Sequence, residues 1–182
     1  MSDKQADVHV HDPIEYRFCP RCGGKLERRR LKPIEPERLV CRRCSFIFYL
    51  DPKVVAGTIF SIDDRVALLR RGVEPATGKW VYPGGYVDRG ERVQDAAIRE
   101  TQEECHLTVK LCSLLGVYSY SGSPVVIVTY VAEIKAGQLK AGDETLEAKT
   151  FAAADIPWDE LAFPSTRDAL EDYVRLYLSS KG

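Results

Sequence analysis

The chain has 182 residues, 45% of them hydrophobic, with 26 basic against 27 acidic side chains. That length suits one ordinary domain with a small attachment, and an apolar fraction near one half excludes a disordered chain. No apolar run approaches the roughly 18 residues of a membrane span, and a formal net charge of −1 argues against a dedicated nucleic-acid binder.

The first residues, Met1–Ser2–Asp3–Lys4–Gln5, lack the basic-then-apolar layout of a secretory signal. A soluble cytoplasmic protein is expected, with no membrane partner and no nucleic-acid partner. The near-zero total hides an asymmetry: residues 1–50 carry 11 Lys/Arg against 7 Asp/Glu, and residues 51–182 carry 15 against 20. Cys19, Cys22, Cys41 and Cys44 lie in the first segment, Cys105 and Cys112 in the second. The organisation expected is a flexible terminus over 1–16, a metal-binding module over 17–50 and a larger domain over 51–182. His9 and His11, in the terminus, carry little information, and Cys105 and Cys112 read as buried thiols.

In chain order the first signal is Cys19–Pro20–Arg21–Cys22, matched by Cys41–Arg42–Arg43–Cys44 after 18 residues. A two-residue gap lets both thiolates of a knuckle face one ion, and an intervening hairpin brings two knuckles together. This is the spacing of a tetrahedral four-cysteine zinc site. About 30 residues bury too little apolar surface to fold alone, so the metal must supply the folding energy, on the order of 10–16 kcal/mol. Four thiolates leave no open coordination position, so this zinc is structural. Arg28, Arg29, Arg30, Arg42 and Arg43 read as a solvated face, with contact to phosphates as the alternative.

From Pro52 onward the pattern is that of strands. Val54–Ile62, the turn pair Asp63–Asp64 and Val66–Arg70 read as a hairpin. Trp80–Tyr82 is a short strand ended by Pro83–Gly84–Gly85, where the glycines allow a tight turn. Glu91–Cys105 reads as a helix, free of Gly and Pro. Val109–Tyr120 and Val125–Ile134 are long apolar strands, Ala136–Gly142 a loop and Glu147–Ala152 a short strand. Ser165 reads as the N-cap of a final helix reaching about Leu178. The sum is an α/β fold, a mixed sheet packed between helices.

The chemistry sits on the helix. Glu100, Glu103 and Glu104 fall within a ~100° arc, and no Lys or Arg follows any of them at i+3 or i+4. Three carboxylates this close repel, by about 4 kcal/mol per pair at 4 Å and an effective dielectric near 20. Such a cluster stays in water, takes up protons or holds hard divalent cations, and magnesium or manganese is the economical resolution. Arg99 lies to one side of the arc, where it can brace the preceding loop through Glu91.

The segment runs Gly85, five residues, Glu91, seven residues, then Arg99–Glu100–Thr101–Gln102–Glu103–Glu104–Cys105–His106–Leu107. It resembles the Nudix box, a loop–helix–loop site that hydrolyses nucleoside diphosphates linked to another group. Two positions depart from that pattern: Thr101 stands where the family has an aliphatic residue, and His106 where it has glycine. Gly78–Lys79–Trp80–Val81–Tyr82–Pro83–Gly84–Gly85 resembles the strand into the box. The four cysteines, Asp51–Pro52–Lys53 and Ile156–Pro157–Trp158–Asp159–Glu160–Leu161–Ala162–Phe163 resemble a zinc-ribbon branch that includes FAD/ADP-ribose pyrophosphatases. NADH pyrophosphatases combine the same two modules, but their Gln-Pro-Trp-Pro-Phe-Pro element is not found here. Pro124 lies near where ADP-ribose hydrolases often place a proline.

The resemblance implies a Nudix α/β/α sandwich behind a small zinc ribbon, with Mg²⁺ or Mn²⁺ held by Glu100, Glu103 and Glu104. It implies Glu103 or Glu100 as proton acceptor, or Glu144 or Glu147 from a later loop, with Arg99 as the brace. Arg70, Arg71, Trp80, Gly85 and Tyr86 are the expected contacts to substrate, with Tyr118 and Tyr120 as further ring candidates. The expected reaction is hydrolysis of ADP-ribose or FAD to AMP and a second phosphate ester. NADH and diadenosine polyphosphates are the secondary substrates, with an mRNA cap as a third possibility, and a homodimer is expected from the resemblance alone. The competing reading is a non-catalytic sensor or a ribbon-mediated binding module.

Overall fold

A computed structural model describes residues 16–178, and the chain divides after Pro52 into two compact units. The expected terminus over 1–16, with His9 and His11, lies outside the described residues except for Tyr16.

The first unit is a three-stranded antiparallel sheet of β1 (Leu26–Arg29), β2 (Arg38–Cys41) and β3 (Ile47–Phe48), in the order β1-β2-β3. Its cysteine knuckles repeat one local design. Gly23 (φ 71°) and Ser45 (φ 57°) each follow the second cysteine of a pair in the left-handed region. Each turn closes with an N–H bond back to the first cysteine, Gly23 to the Cys19 carbonyl (2.9 Å) and Ser45 to that of Cys41 (3.0 Å). Among the described residues of this unit, only Cys19, Val40 and Cys41 are fully buried. Its interior is therefore mostly sulfur.

The second unit holds two four-stranded sheets. One joins β4 (Lys53–Ile59), β8 (Gly84–Tyr86), β9 (Leu107–Ser119) and β10 (Val125–Gly137) in the order β8-β4-β10-β9. It is mixed, because β4 and β10 run parallel while the other pairs are antiparallel. The other sheet joins β5 (Ser61–Ile62), β6 (Arg65–Arg71) and β11 (Thr145–Phe151), with β7 (Trp80–Val81) on β6. Helix α1 (Val93–Cys105) packs on β4, β8 and β9, and α2 (Pro164–Tyr173) on β9 and β10. Successive residues of β6 enter different cores: Val66 and Leu68 pack with Ile59, Phe151 and Leu170, and Ala67 and Leu69 with Phe60, Leu107 and Val109. Burial on both faces is worth roughly 1.5–3 kcal/mol per large side chain. Ala96 and Ala97 meet Ala56, small residues that let α1 lie close against β4. Among the described residues no helix is long and apolar enough to cross a membrane.

Several expectations need correction. The run 54–62 is two strands, because the chain changes sheets at buried Phe60. The turn after it has Asp63 and Asp64 both at positive φ (49° and 60°), the twist that two-residue hairpins require. Gly84–Gly85 is not a turn but part of β8, in register with Gly57 and Ala56 of β4. Helix α1 starts at Val93, after Gly90 has taken positive φ and Glu91 has bonded Asp88. Strand β10 runs on to Gly137, into the segment expected as a loop. The N-cap of α2 is Phe163 and not Ser165, because Pro164 occupies the first helical position, where a missing N–H costs nothing. Cys105 is buried but Cys112 is exposed on β9. Trp80, expected at the ligand, is only 6% exposed and stands edge-on to Phe151 at 4.9 Å, so it is a core residue.

Candidate functional site

The four cysteine Sγ atoms lie within 4.8 Å of one another, with Cys19–Cys44 at 3.8 Å and Cys22–Cys41 at 3.5 Å. A tetrahedral zinc ion with Zn–S near 2.3 Å requires S···S edges of about 3.8 Å. Backbone N–H groups aim at the sulfurs in matching positions, Arg21 to Cys19 Sγ (3.4 Å) and Arg43 to Cys41 Sγ (3.3 Å). The Cys44 and Arg43 N–H groups lower the Cys41 thiol, whereas, against the pull of the Gly24 N–H, its neighbour Cys22 is raised by the crowding thiols and by burial. The residues present fit a structural zinc ion and leave no position open for catalysis.

The second centre is built around Arg99, at the middle of α1. Its Nε and one Nη grip both oxygens of Glu91, at 2.9 and 3.0 Å. That Nη also donates to the Tyr86 carbonyl (3.1 Å), and the other Nη reaches Glu100 (2.7 Å) and Glu103 (3.1 Å). All five guanidinium N–H donors are thus engaged. Arg99 and the Asp88 N–H hold the Glu91 carboxyl down to about 2. The side chain expected to brace the loop does so, and it binds two of the helix acids as well. A base preceding Glu103 by four residues offsets the repulsion that a search for following bases overlooks.

Glu104 is held separately. Its Oε2 accepts the Gly84 N–H at 2.8 Å, which ties the helix to β8 across 20 residues. Burial pushes its carboxyl up to about 7; the Gly84 N–H opposes this, the charges of Glu100 and Glu144 reinforce it, and Arg71 opposes it. Glu100, 15% exposed at the side chain, is raised chiefly by burial. A Cβ on Gly85 would push the Glu100 carboxyl out of the place in which Arg99 holds it. Glu103, at 59%, is the accessible acid of the three. Among the described residues, the only ligand group drawn within 4.8 Å is the cysteine set. The three acids therefore do not converge: Arg99 draws two of them and Gly84 holds the third. All their donors are carboxylate oxygens and two are raised by burial, so in chemistry, though not in spacing, the set fits a hard divalent cation as the compensating charge.

The remaining candidates fall around this helix in different ways. Arg71 stacks its guanidinium over the Phe163 ring (5.2 Å) and donates to the Pro75 carbonyl (2.8 Å). Arg70 donates to the Gly78 carbonyl and faces Glu147 at 3.9 Å. Glu144 sits in the turn before β11, its carbonyl accepting the Gly72 N–H (2.8 Å). Tyr86, on β8, is 58% exposed. Tyr118 and Tyr120 donate their hydroxyls to Asp172 and Asp168 of α2, which commits them to helix packing.

With this geometry in hand, the likeness to known proteins is specific. Residues 51–173 match the NUDIX domain, and residues 17–50 the Nudix N-terminal zinc ribbon. This chain belongs to the Nudix family. An ADP-ribose pyrophosphatase of Methanocaldococcus jannaschii is 37% identical over 131 residues, covering 70% of this chain and 76% of that protein. The NAD-capped RNA hydrolase NudC of Pseudomonas putida is 25% identical over 92% of this chain, which spans only 58% of its length. A NUDIX hydrolase from Nitrosomonas europaea has the same fold, with a TM-score of 0.84 and 32% identity, covering 90% of this chain and 93% of that one.

The two departures from the Nudix box have local explanations. Thr101 is fully buried, with its hydroxyl 2.6 Å from that of Thr58 on β4 and 2.7 Å from the Ala97 carbonyl. A hydroxyl therefore replaces an aliphatic contact with a bond across to the sheet. His106 caps α1 at φ 56°, and its N–H donates to the Gln102 carbonyl (3.0 Å), so the left-handed exit survives without glycine. Sequence reasoning did not find the Gly84 N–H, Thr58 or Phe163. The adjoining Pro–Gly–Gly was a signal for the first and the resembling segment Ile156–Phe163 for the last, while nothing local marked Thr58.

Proposed function

We propose that this Nudix hydrolase is a magnesium-dependent pyrophosphohydrolase that adds water across the P–O–P bridge of ADP-ribose or FAD, releasing AMP and a second phosphate ester. The observation that carries this reading is the acid centre on α1, with exposed Glu103 beside half-buried Glu100 and Glu104 and with Arg71 close enough to bias Glu104. Glu100, Glu103 and Glu104 would hold magnesium or manganese. When bound, such ions neutralise phosphate charge and acidify water.

The chain's own groups do the rest. Arg99 is a positioning residue that fixes Glu100 and Glu103 relative to the Glu91 loop. Glu103, the accessible acid, accepts the proton of the attacking water, with Glu100 and Glu144 as the other acids placed to do so. Arg71, already stacked on Phe163, offers charge to a phosphate, and Arg70 does so if it releases Glu147. Gly85 brings the β8 backbone close to Glu100, and Tyr86 presents the exposed ring on the same strand. Trp80 has no part in binding. The module division at 17–50 and 51–182, the zinc ion in the first module and a homodimer belong to the same proposal.

The Methanocaldococcus relative, named for ADP-ribose, supports that substrate class. A second reading is a substrate of the NADH or diadenosine polyphosphate type; the NudC relatives, named for NAD-capped RNA and similar across the ribbon, support only its nicotinamide dinucleotide half. Incubation of the metal-loaded protein with ADP-ribose, FAD, NADH and diadenosine polyphosphates, ranked by kcat/KM, decides between them. ADP-ribose or FAD leading by tenfold is expected. NADH leading replaces the reading with the second, and no AMP from any of them overturns both.

A further inference from the structure

The ribbon carries a surface for which its zinc centre has no use. An open groove of about 550 Å³ on this unit is lined by Tyr16, Phe18, Lys25, Leu26, Arg28 and Leu39, among others. Phe18 is 61% exposed, and Tyr16, also exposed, is fixed edge-on against Phe48 with ring centroids 4.9 Å apart. Two aromatic rings on one open groove offer faces on which a planar group can stack.

The charge around the rings is one-sided. Residues 16–50 hold ten Lys/Arg against three Asp/Glu, an excess that the acidic remainder conceals in the whole-chain total. A zinc ion on four thiolates would subtract only two charges. The groove's own acid, Glu27, is neutralised by Arg29 and Arg42, which hold its carboxyl below the usual range. Lys25 and Arg28 are exposed and have no carboxylate partner among the described residues. Backbone pairing puts Lys25 opposite Phe18, and Arg28 lies opposite Leu39 in the same groove lining.

We propose that this groove binds a single-stranded polynucleotide, its bases stacking on Phe18 and Tyr16 and its phosphates meeting Lys25 and Arg28. Rings select a strand with free base faces, which a duplex does not offer, and the cations select a polyanionic backbone. An acidic peptide would satisfy the cations and leave the rings uncovered. This inference does not rest on the hydrolase reading, since binding needs neither catalytic metal nor a diphosphate.

The test is fluorescence anisotropy of 5′-labelled ten-nucleotide RNA and DNA strands with the zinc-loaded full chain, without added magnesium. Micromolar binding at 50 mM salt is expected, with the logarithm of affinity falling linearly with that of salt. The pair Lys25→Glu with Arg28→Glu should weaken binding at least tenfold and reduce the salt slope by about 1.4, the share of two phosphates on a single strand. Phe18→Ala should weaken it about tenfold at unchanged slope, and Phe18→Trp should restore it. Zinc content, measured on every variant, separates a lost contact from a lost fold. Preference for RNA over DNA, or the reverse, names the natural strand. The proposal is overturned by no binding, by duplex bound as tightly as single strand, by equal capture of polyglutamate or of phosphatidylserine vesicles, or by indifference to Phe18→Ala.

Discussion

The two units of this protein use charged ligand sets for opposite purposes. In the ribbon, two of the three fully buried side chains are cysteines, so the donors are the core. In the larger unit the core is aliphatic and aromatic, built around β6, and the donors lie outside it on one helix. Protein groups already hold those donors in place: Arg99 engages two of them and Gly84 the third. On the proposed function, a metal is a condition of folding in the first unit and a condition of chemistry in the second.

The largest expected effect breaks the comparison at the ribbon. Removing zinc with a strong chelator, or substituting Cys41→Ser, withdraws folding energy on the order of 10–16 kcal/mol. Loss of protection from proteolysis is expected over residues 17–50, with the thermal transition of the larger unit retained. Collapse of both transitions together would show that the hydrolase unit also depends on the ion.

Next comes the helix. Glu103→Gln with Glu104→Gln should cost at least 10³-fold in kcat, about 4 kcal/mol of transition-state stabilisation. A glutamine at 104 still accepts the Gly84 N–H and no longer carries a buried charge. Tm should therefore hold or rise. AMP release followed by chromatography, beside calorimetry, checks both halves, and full turnover in the double variant removes the helix from the reaction.

A smaller effect tests how the helix is attached. Thr101→Val strands the Thr58 hydroxyl against a methyl, which costs about 1–3 kcal/mol. Adding Thr58→Val should return most of that loss, because two apolar partners of the same shape leave nothing unsatisfied. Denaturant midpoints for the four proteins of the cycle give the coupling directly. The smallest change concerns the cap. His106→Gly relieves a left-handed residue of roughly 1–2 kcal/mol of strain and loses about 0.4–1 kcal/mol to the freer unfolded chain. A net gain of about 0.5 kcal/mol, one or two degrees in Tm, is expected by differential scanning calorimetry.

Much of the site is legible in one dimension because its geometry is local. A Cys-x-x-Cys knuckle closes within five residues, and an acid arc with its arginine brace spans little more than a turn of helix, so spacing alone determines both. What the tertiary structure decided is every relation that crosses the chain. Whether Trp80 faces a ligand or Phe151, which N–H fixes Glu104, why a threonine suits position 101, and that Phe163 lies under Arg71 all depend on strand pairing and helix docking between distant segments. The sequence offers Trp80 and Tyr86 alike as rings for the substrate; only packing and strand register separate the buried ring from the exposed one.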